Sequence, residues 1–217
     1  MKKNLTEMVF ILDRSGSMQS LTSDTIGGFN SMIESQKNEE GEAYVTTILF
    51  DDEYEVLHDH INIQDIKPIT NTEYFARGMT ALLDAVGKTV NSVGSRLSST
   101  PEDERPDKVI FVITTDGLEN ASREFEKSTI KEMIEHQQNK YSWTFIFLGA
   151  NMDAVGEAAS LGINSSYSHT YTASAQGTSS VYASLDATMS CLRGVDYETI
   201  NTACVDSLVE NCLSLVE

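Results

Sequence analysis

The stretch Met8–Ser17, MVFILDRSGS, decides how this sequence folds. Five apolar residues in a row, including β-branched and aromatic ones, are followed at once by Asp13 and by a loop of serine and glycine. Continuous rather than alternating hydrophobicity is typical of a strand that is buried on both faces, as in a parallel sheet. The stretch therefore predicts a central strand that ends at an acidic, polar loop.

Three more stretches are predicted to form strands. Residues 109–113 and 145–148 are continuous apolar runs, and each leads into loop-forming residues. Residues 43–50 form another candidate strand, which the acidic turn 51–53 follows. Tyr54 and Val56 lie just beyond that turn, so we expect the chain to return there as an antiparallel edge strand.

Apolar residues at helical spacing occupy the segments between these strands. The four predicted helix faces are Ile26, Phe29 and Ile33; Leu82, Val86, Val90, Val93 and Leu97; Ile130, Met133 and Ile134; and Val181, Leu185, Met189 and Leu192. Alternating strands and helices predict an α/β fold, with a doubly wound, mostly parallel sheet, helices on both faces and right-handed crossovers. We expect residues 1–194 to form one domain and residues 195–217 a C-terminal helical extension packed on it, with a partner-binding helix as the alternative.

The net charge and the cysteine content of the chain exclude several classes of partner and of structural site. The chain of 217 residues has a formal net charge of −18, which disfavours nucleic acid and anionic membrane surfaces as partners. The three cysteines, Cys191, Cys204 and Cys212, are odd in number and contain no C-x-x-C pair, which argues against a disulfide framework or a zinc site. The first apolar run is too short for a signal peptide, so we expect a cytoplasmic protein.

Three polar segments are expected to meet at one edge of the sheet. In doubly wound sheets, ligands bind at the carboxyl ends of the strands, near the point where strand order reverses. The converging side chains are all oxygen donors, namely Asp13, Ser15, Ser17, Thr80 and Asp116. Two carboxylates with three hydroxyls suit a hard cation, with Mg²⁺ as first choice and Mn²⁺ or Ca²⁺ possible.

This pattern resembles the von Willebrand factor A domain. The segments D-x-S-x-S at 13–17, G-M-T-A-L around Thr80 and T-D-G around Asp116 match that family's metal-ion-dependent adhesion site, and the likeness extends over about residues 5–193. The resemblance implies a sheet of about six strands. It also implies that Ser15 and both other hydroxyls contact the cation directly, while the two carboxylates can act through water. Stand-alone bacterial or phage members of the family fit best.

The expected function is a magnesium-dependent binding module that docks an aspartate or glutamate of a partner protein. The alternative is a magnesium-dependent phosphohydrolase, but Ser15 stands where haloacid-dehalogenase-like phosphatases need a second aspartate. His58 and His60 share a strand face if the strand is regular, although solvated surface is the simpler interpretation. Arg77 is expected to pair with an internal acid, with a partner carboxylate as the alternative. Trp143 is expected in the core at the start of its strand.

Overall fold

A computed structural model describes residues 1–194 as one six-stranded sheet with five α-helices around it. The strands are β1 (Lys2–Asp13), β2 (Glu42–Phe50), β3 (Tyr54–Asn62), β4 (Pro106–Thr115), β5 (Thr144–Ala150) and β6 (Ser168–Tyr171). The helices are α1 (Thr22–Gln36), α2 (Leu82–Ser99), α3 (Lys127–Tyr141), α4 (Ala154–Ser160) and α5 (Ala175–Gly194).

The order of the strands in the sheet is β3-β2-β1-β4-β5-β6. All neighbours are parallel except β2 and β3, which pair antiparallel. The predicted fold class is therefore confirmed, including the antiparallel edge strand. Strand β3 runs antiparallel to β2 because a tight turn joins the two strands, whereas parallel neighbours need a helical crossover between them.

Both faces of the sheet are covered, which explains the continuous apolar run in β1. Met8 and Phe10 belong to one core cluster with side chains of α1 and α5. Val9 and Ile11 belong to the other cluster, with side chains of α2, α3 and α4. Successive side chains of a strand point to opposite faces, so a strand between two helical layers must be apolar at every position.

The strand order reverses beside β1. The crossover helix α1 leaves β1 on one face and leads to β2, while α2 covers the opposite face and leads to β4. The carboxyl ends of β1 and β4 therefore lie side by side with their following loops diverging. Such a switch in strand order opens a crevice at the edge of the sheet, where ligands bind in folds of this kind.

Some elements differ from the sequence-based expectation. Strand β1 begins at Lys2 rather than Met8, and neither α4 nor β6 was predicted, because seven and four residues are too few to show a clear period. Cys191 is disulfide-bonded, contrary to the expectation from the cysteine count. The expected C-terminal extension lies outside the described residues. None of the helices within residues 1–194 has the length and apolar content to span a bilayer.

Candidate metal centre

The five expected ligands lie on three loops at the carboxyl edge of the sheet. Asp13 is the last residue of β1, and Asp116 directly follows β4, which pairs with β1. Ser15 and Ser17 lie on the loop and 3-10 turn after β1, and Thr80 lies just before α2. The position at the strand switch is the one that the sequence predicted.

Asp13 is held in a fixed orientation by hydrogen bonds to both carboxylate oxygens. The backbone N–H of Ser15 donates to Oδ1 at 2.6 Å, and the Thr115 hydroxyl donates to Oδ2 at 2.6 Å. The hydroxyl of Tyr74 donates to the backbone carbonyl of Asp13. Asp13 is fully buried, so its carboxylate can move little relative to the loop that it precedes.

The hydroxyl ligands and Asp116 lie beside this carboxylate. Ser15 Oγ and Ser17 Oγ are 3.1 Å apart, and the Ser17 hydroxyl donates to Asp116 Oδ1 at 2.6 Å. Gly117 lies between the loops: a Cβ atom built on it falls 3.3 Å from Thr80 Oγ1 and 3.7 Å from Ser17 Oγ. A glycine here leaves room for the hydroxyls to approach each other, and the structure thus brings all five residues together.

Both carboxyl groups are held in surroundings that disfavour their negative charge. Burial raises the pKa of Asp13 to about 6, and the nearby charge of Asp116 adds to the rise, against hydrogen bonds from Thr115 and Ser15. Burial also raises the pKa of Asp116, which the Ser17 hydroxyl opposes. A cation between the two groups would remove this penalty, because opposite charge stabilises the ionised form. The donor set therefore fits a hard divalent ion.

Thr80 is positioned by a segment that the sequence analysis did not identify. Its N–H donates to Asn120 Oδ1 at 2.9 Å, and its carbonyl accepts from the N–H groups of Asn120 and Ala121 at 3.0 and 3.2 Å. The Glu119 carboxylate accepts from the N–H of Leu83 at 2.9 Å. We call residues 119–125 the clamp. Its only sequence signal is a run of polar residues after T-D-G, which is common in loops.

The clamp is fastened to α2 by Asp84, in the first turn of that helix. The Asp84 carboxylate accepts three backbone hydrogen bonds, from Arg123 and Glu124 at 2.9 Å and from Phe125 at 3.0 Å. The ring of Phe125 packs over Gly87, where a Cβ atom would come within 2.7 Å. Asp84 and Gly87 thus fix the clamp, and the clamp fixes Thr80.

Two arginines beside the site are paired with acids. Arg14 is fully buried, and its guanidinium contacts Asp51 at 3.1 Å and Glu55 at 2.7 Å. Arg77 contacts Asp51 at 2.6 Å and Glu53 at 2.5 Å. These contacts agree with the expected pairing of Arg77 with an internal acid. They also fix the position of the loop before Thr80.

The two histidines of β3, His58 and His60, do not form a shared metal site. His60 Nδ1 lies 2.7 Å from Glu7 Oε2, and Arg96 contacts Glu7 at 2.8 Å, so His60 belongs to an ionic cluster on the sheet. His60 also has a positive φ of 52°, which breaks the regular alternation with His58. Within residues 1–194, no group of three His, Cys, Asp or Glu side chains is placed to hold a metal ion. Trp143 is in the core, as expected, with 7% of its surface exposed.

No protein-family model matches the sequence, and no curated protein is detectably similar to it. Solved structures do match. Proximal thread matrix protein 1 from the mussel byssus is 14% identical with a TM-score of 0.60, and the match covers 86% of this chain and 48% of that one. Another structure of that protein has zinc bound in its metal-ion-dependent adhesion site (MIDAS) motif.

Two further structures show the same likeness. A von Willebrand factor type A protein from Catenulispora acidiphila is 11% identical with a TM-score of 0.55, covering 86% of this chain and 42% of that one. The manganese-loaded TRAP protein of Plasmodium vivax is 17% identical with a TM-score of 0.51, covering 69% and 58%. The chain spans about half the length of the structures it matches. At these identities the likeness concerns the fold alone, and that fold is the one of von Willebrand factor type A domains.

Proposed function

We propose that this protein is a binding module that holds a divalent cation with Asp13, Ser15, Ser17, Thr80 and Asp116 and docks an aspartate or glutamate of a partner protein on it. The observation that carries the proposal is the meeting of one buried carboxyl group, one half-buried carboxyl group and three hydroxyls from separate loops at the strand switch. Metal-containing structures with this fold, loaded with zinc or manganese, support a divalent ion in general.

Magnesium is the proposed ion, with manganese or calcium as possible substitutes. Three of the five donors are neutral hydroxyls, and carboxylates that act through water leave the ion electrophilic, so that it attracts a further anionic oxygen. A partner carboxylate supplies such an oxygen. The strongly acidic surface, with a net charge of −18, repels acidic partners everywhere else, so the cation makes docking specific to this edge.

The rim of the site indicates what surrounds the partner's acid. Met79, which precedes Thr80, is 51% exposed, and Leu118, which follows Gly117, is 64% exposed. Phe75 is 42% exposed between the guanidinium groups of Arg14 and Arg77. Exposed apolar side chains around a polar centre are typical of protein interaction sites. We infer that the partner's acidic residue has apolar neighbours.

A binding module fits these contacts better than the alternative phosphohydrolase. Arg14 and Arg77, two cationic residues on the loops beside the site, are each paired with acidic side chains, and Arg14 is fully buried. Neither is therefore free to stabilise a transferring phosphoryl group, which phosphoryl-transfer enzymes require of their cations. We also propose that the protein is a stand-alone member of this type from a bacterium or a phage.

Metal binding is tested by calorimetric titration of the chelated protein with Mg²⁺ and Mn²⁺. Thr80→Ala removes one hydroxyl ligand, and we expect about tenfold to hundredfold weaker binding, since a contact to a charged centre contributes about 1.5–3 kcal/mol. Thr129→Ala, at an exposed position on α3, is the matched control and should bind as wild type does. Identical heats for wild type and Thr80→Ala would refute the site.

The function is tested with the two variants and the wild type as bait, in Mg²⁺ and in chelator. We expect a partner that is retained only with Mg²⁺ by wild type and Thr129→Ala, lost by Thr80→Ala, and displaced by a peptide carrying its acidic segment. A peptide with the acid changed to its amide should not compete. Metal-dependent phosphatase turnover that disappears in Thr80→Ala would favour the enzyme instead.

A further inference from the structure

The last turn of α5 is fastened to the edge of the sheet opposite the metal centre. The Arg193 guanidinium donates to the carbonyl and side-chain oxygens of Gln36 at 2.7 and 3.0 Å. Lys108, the third residue of β4, donates through its ammonium to the Arg193 carbonyl at 2.5 Å. Asp116 follows the other end of β4, about 26 Å from Lys108 at the usual rise per residue. The chain therefore leaves α5 at a fixed point far from the metal centre.

Lys108 is a buried cation without a carboxylate partner among residues 1–194. It is 5% exposed and shares a strand face with Ile110, which belongs to the core cluster of α1 and α5. None of the ion pairs within residues 1–194 includes it. An ammonium has three donors, and burial of its charge is costly unless an anion lies beside it. The ammonium therefore needs a carboxylate from outside these residues.

Arg193 adds a second cation to the same place. Its guanidinium hydrogen bonds go to neutral carbonyl and amide oxygens. Burial lowers the pKa of Arg193, and the charge of Glu39 opposes this shift only in part. The carbonyl end of α5 carries about half a negative charge, which offsets less than one of the two cations. Positive charge is thus left over at the point where the chain leaves α5.

The segment that continues from α5 has the charge that this place lacks. Residues 195–217 contain no lysine or arginine and five acidic residues, namely Asp196, Glu198, Asp206, Glu210 and Glu217. Asp196 is three residues beyond Arg193, so the chain between them spans at most about 11 Å. Because the Lys108 ammonium contacts the Arg193 carbonyl, the Asp196 carboxylate is within its reach.

A disulfide independently ties the same segment to α5. Cys191 is disulfide-bonded, and the other two cysteines of the chain, Cys204 and Cys212, both lie in residues 195–217. The partner of Cys191 within the chain is therefore one of these two residues. A bond to either of them brings part of residues 195–217 back to the last turn of α5.

We propose that residues 195–217 turn back against the end of α5, where Asp196 forms an ion pair with Lys108. The opposite charges and the disulfide favour this segment of the chain itself over a separate partner protein. The segment then belongs to the domain and is not a free helix for partners. Since it lies opposite the metal centre, it leaves the cation site uncovered, and the proposal would stand if that site bound no ion.

The test is a double-mutant cycle on the full chain, measured by urea unfolding without reductant and with chelator. The four proteins are wild type, Lys108→Met, Asp196→Asn and the double variant. Methionine keeps an unbranched apolar side chain and removes the ammonium. In the wild-type background, Asp196→Asn should raise the equilibrium constant for unfolding about tenfold or more, the value of a hydrogen bond to a charged group. In the Lys108→Met background it should raise it less than about twofold.

Asp206→Asn is the matched control, because it makes the same substitution in the same segment and should act equally in both backgrounds. Stability should also be independent of protein concentration, since the contact lies within one chain. Equal effects of Asp196→Asn in both backgrounds would mean that the segment is free and would overturn the proposal. Coupling of Asp206→Asn to Lys108→Met, or stability that rises with concentration through docking on a second copy, would overturn it as well.

A measurement on the wild type keeps the proposal testable if Lys108→Met does not fold. Peptide mapping of the protein, purified and digested without reductant, should find Cys191 bonded to Cys204 or Cys212 in a monomer. A bond between Cys191 residues of two chains, or a free Cys191 thiol, would refute the return of the segment to α5.

Discussion

Replacing Asp84 with alanine tests whether the clamp holds the metal centre together. The carboxylate accepts three backbone hydrogen bonds at 2.9–3.0 Å and is 8% exposed. Hydrogen bonds to a charged group contribute about 1.5 kcal/mol or more each. Arg123 and Glu124 are exposed, so water can replace part of what their N–H groups lose. We therefore expect Asp84→Ala to lower the free energy of unfolding by about 3 kcal/mol rather than by the full sum.

The loss should depend on pH in a defined direction. Burial alone raises the pKa of Asp84, but the three N–H donors outweigh it and the net shift is downward. A carboxyl group with a lowered folded-state pKa stabilises the protein fully above its unfolded pKa of about 3.9, and that stabilisation is lost as the pH falls below this value. The difference between wild type and Asp84→Ala should therefore be constant near neutral pH and shrink in acid.

Urea unfolding, followed by circular dichroism with saturating Mg²⁺ and again with chelator, measures these differences. Asp103→Ala removes the same charge from an exposed loop and should change the free energy of unfolding by no more than about 0.5 kcal/mol. Because the clamp positions Thr80, Asp84→Ala should also weaken Mg²⁺ binding in calorimetry, which a purely local loss of stability would not do. A change in stability below about 1 kcal/mol, or unaltered Mg²⁺ affinity in the folded variant, would refute the reasoning.

Two other predictions concern packing and titration. A Cβ atom on Gly28 would lie 2.4 Å from the Tyr182 ring, so Gly28→Ala should destabilise by about 1–3 kcal/mol, whereas Gly27→Ala, with nothing within 4 Å, should stabilise by about 0.5–1 kcal/mol. Thermal unfolding of the pair decides this, and like effects of both substitutions would contradict it. Burial lowers the pKa of His169, so the folded state binds its proton less readily than the unfolded state, and stability is lost as the pH falls below about 6.5. In the His169→Gln variant, the free energy of unfolding should therefore fall less steeply with decreasing pH, by up to about 1.4 kcal/mol per pH unit. Urea unfolding with saturating Mg²⁺ measures this slope, and equal slopes for wild type and variant would exclude the effect.

Local patterns in the sequence predicted most of the fold. Apolar runs such as Met8–Leu12 indicate strands buried on both faces, and the helical spacing of residues such as Leu82 and Val86 indicates one-sided packing. These periods follow from backbone geometry alone, so they can be read without knowing what each element contacts. The two short elements, α4 and β6, were missed because a period needs more residues than they contain.

Four of the five candidate ligands were also apparent in the sequence, because polar residues directly after buried strands are placed at the edge of the sheet; Thr80, just before α2, was identified from the resemblance of its G-M-T-A-L segment. The structure alone decided which loops meet there. Asp13 and Asp116 lie more than a hundred residues apart, and only the pairing of β1 with β4 makes their strand ends neighbours. The same holds for Asp84 and its clamp, and for Lys108 and the end of α5: each depends on contacts between distant segments, which no local period of the sequence encodes.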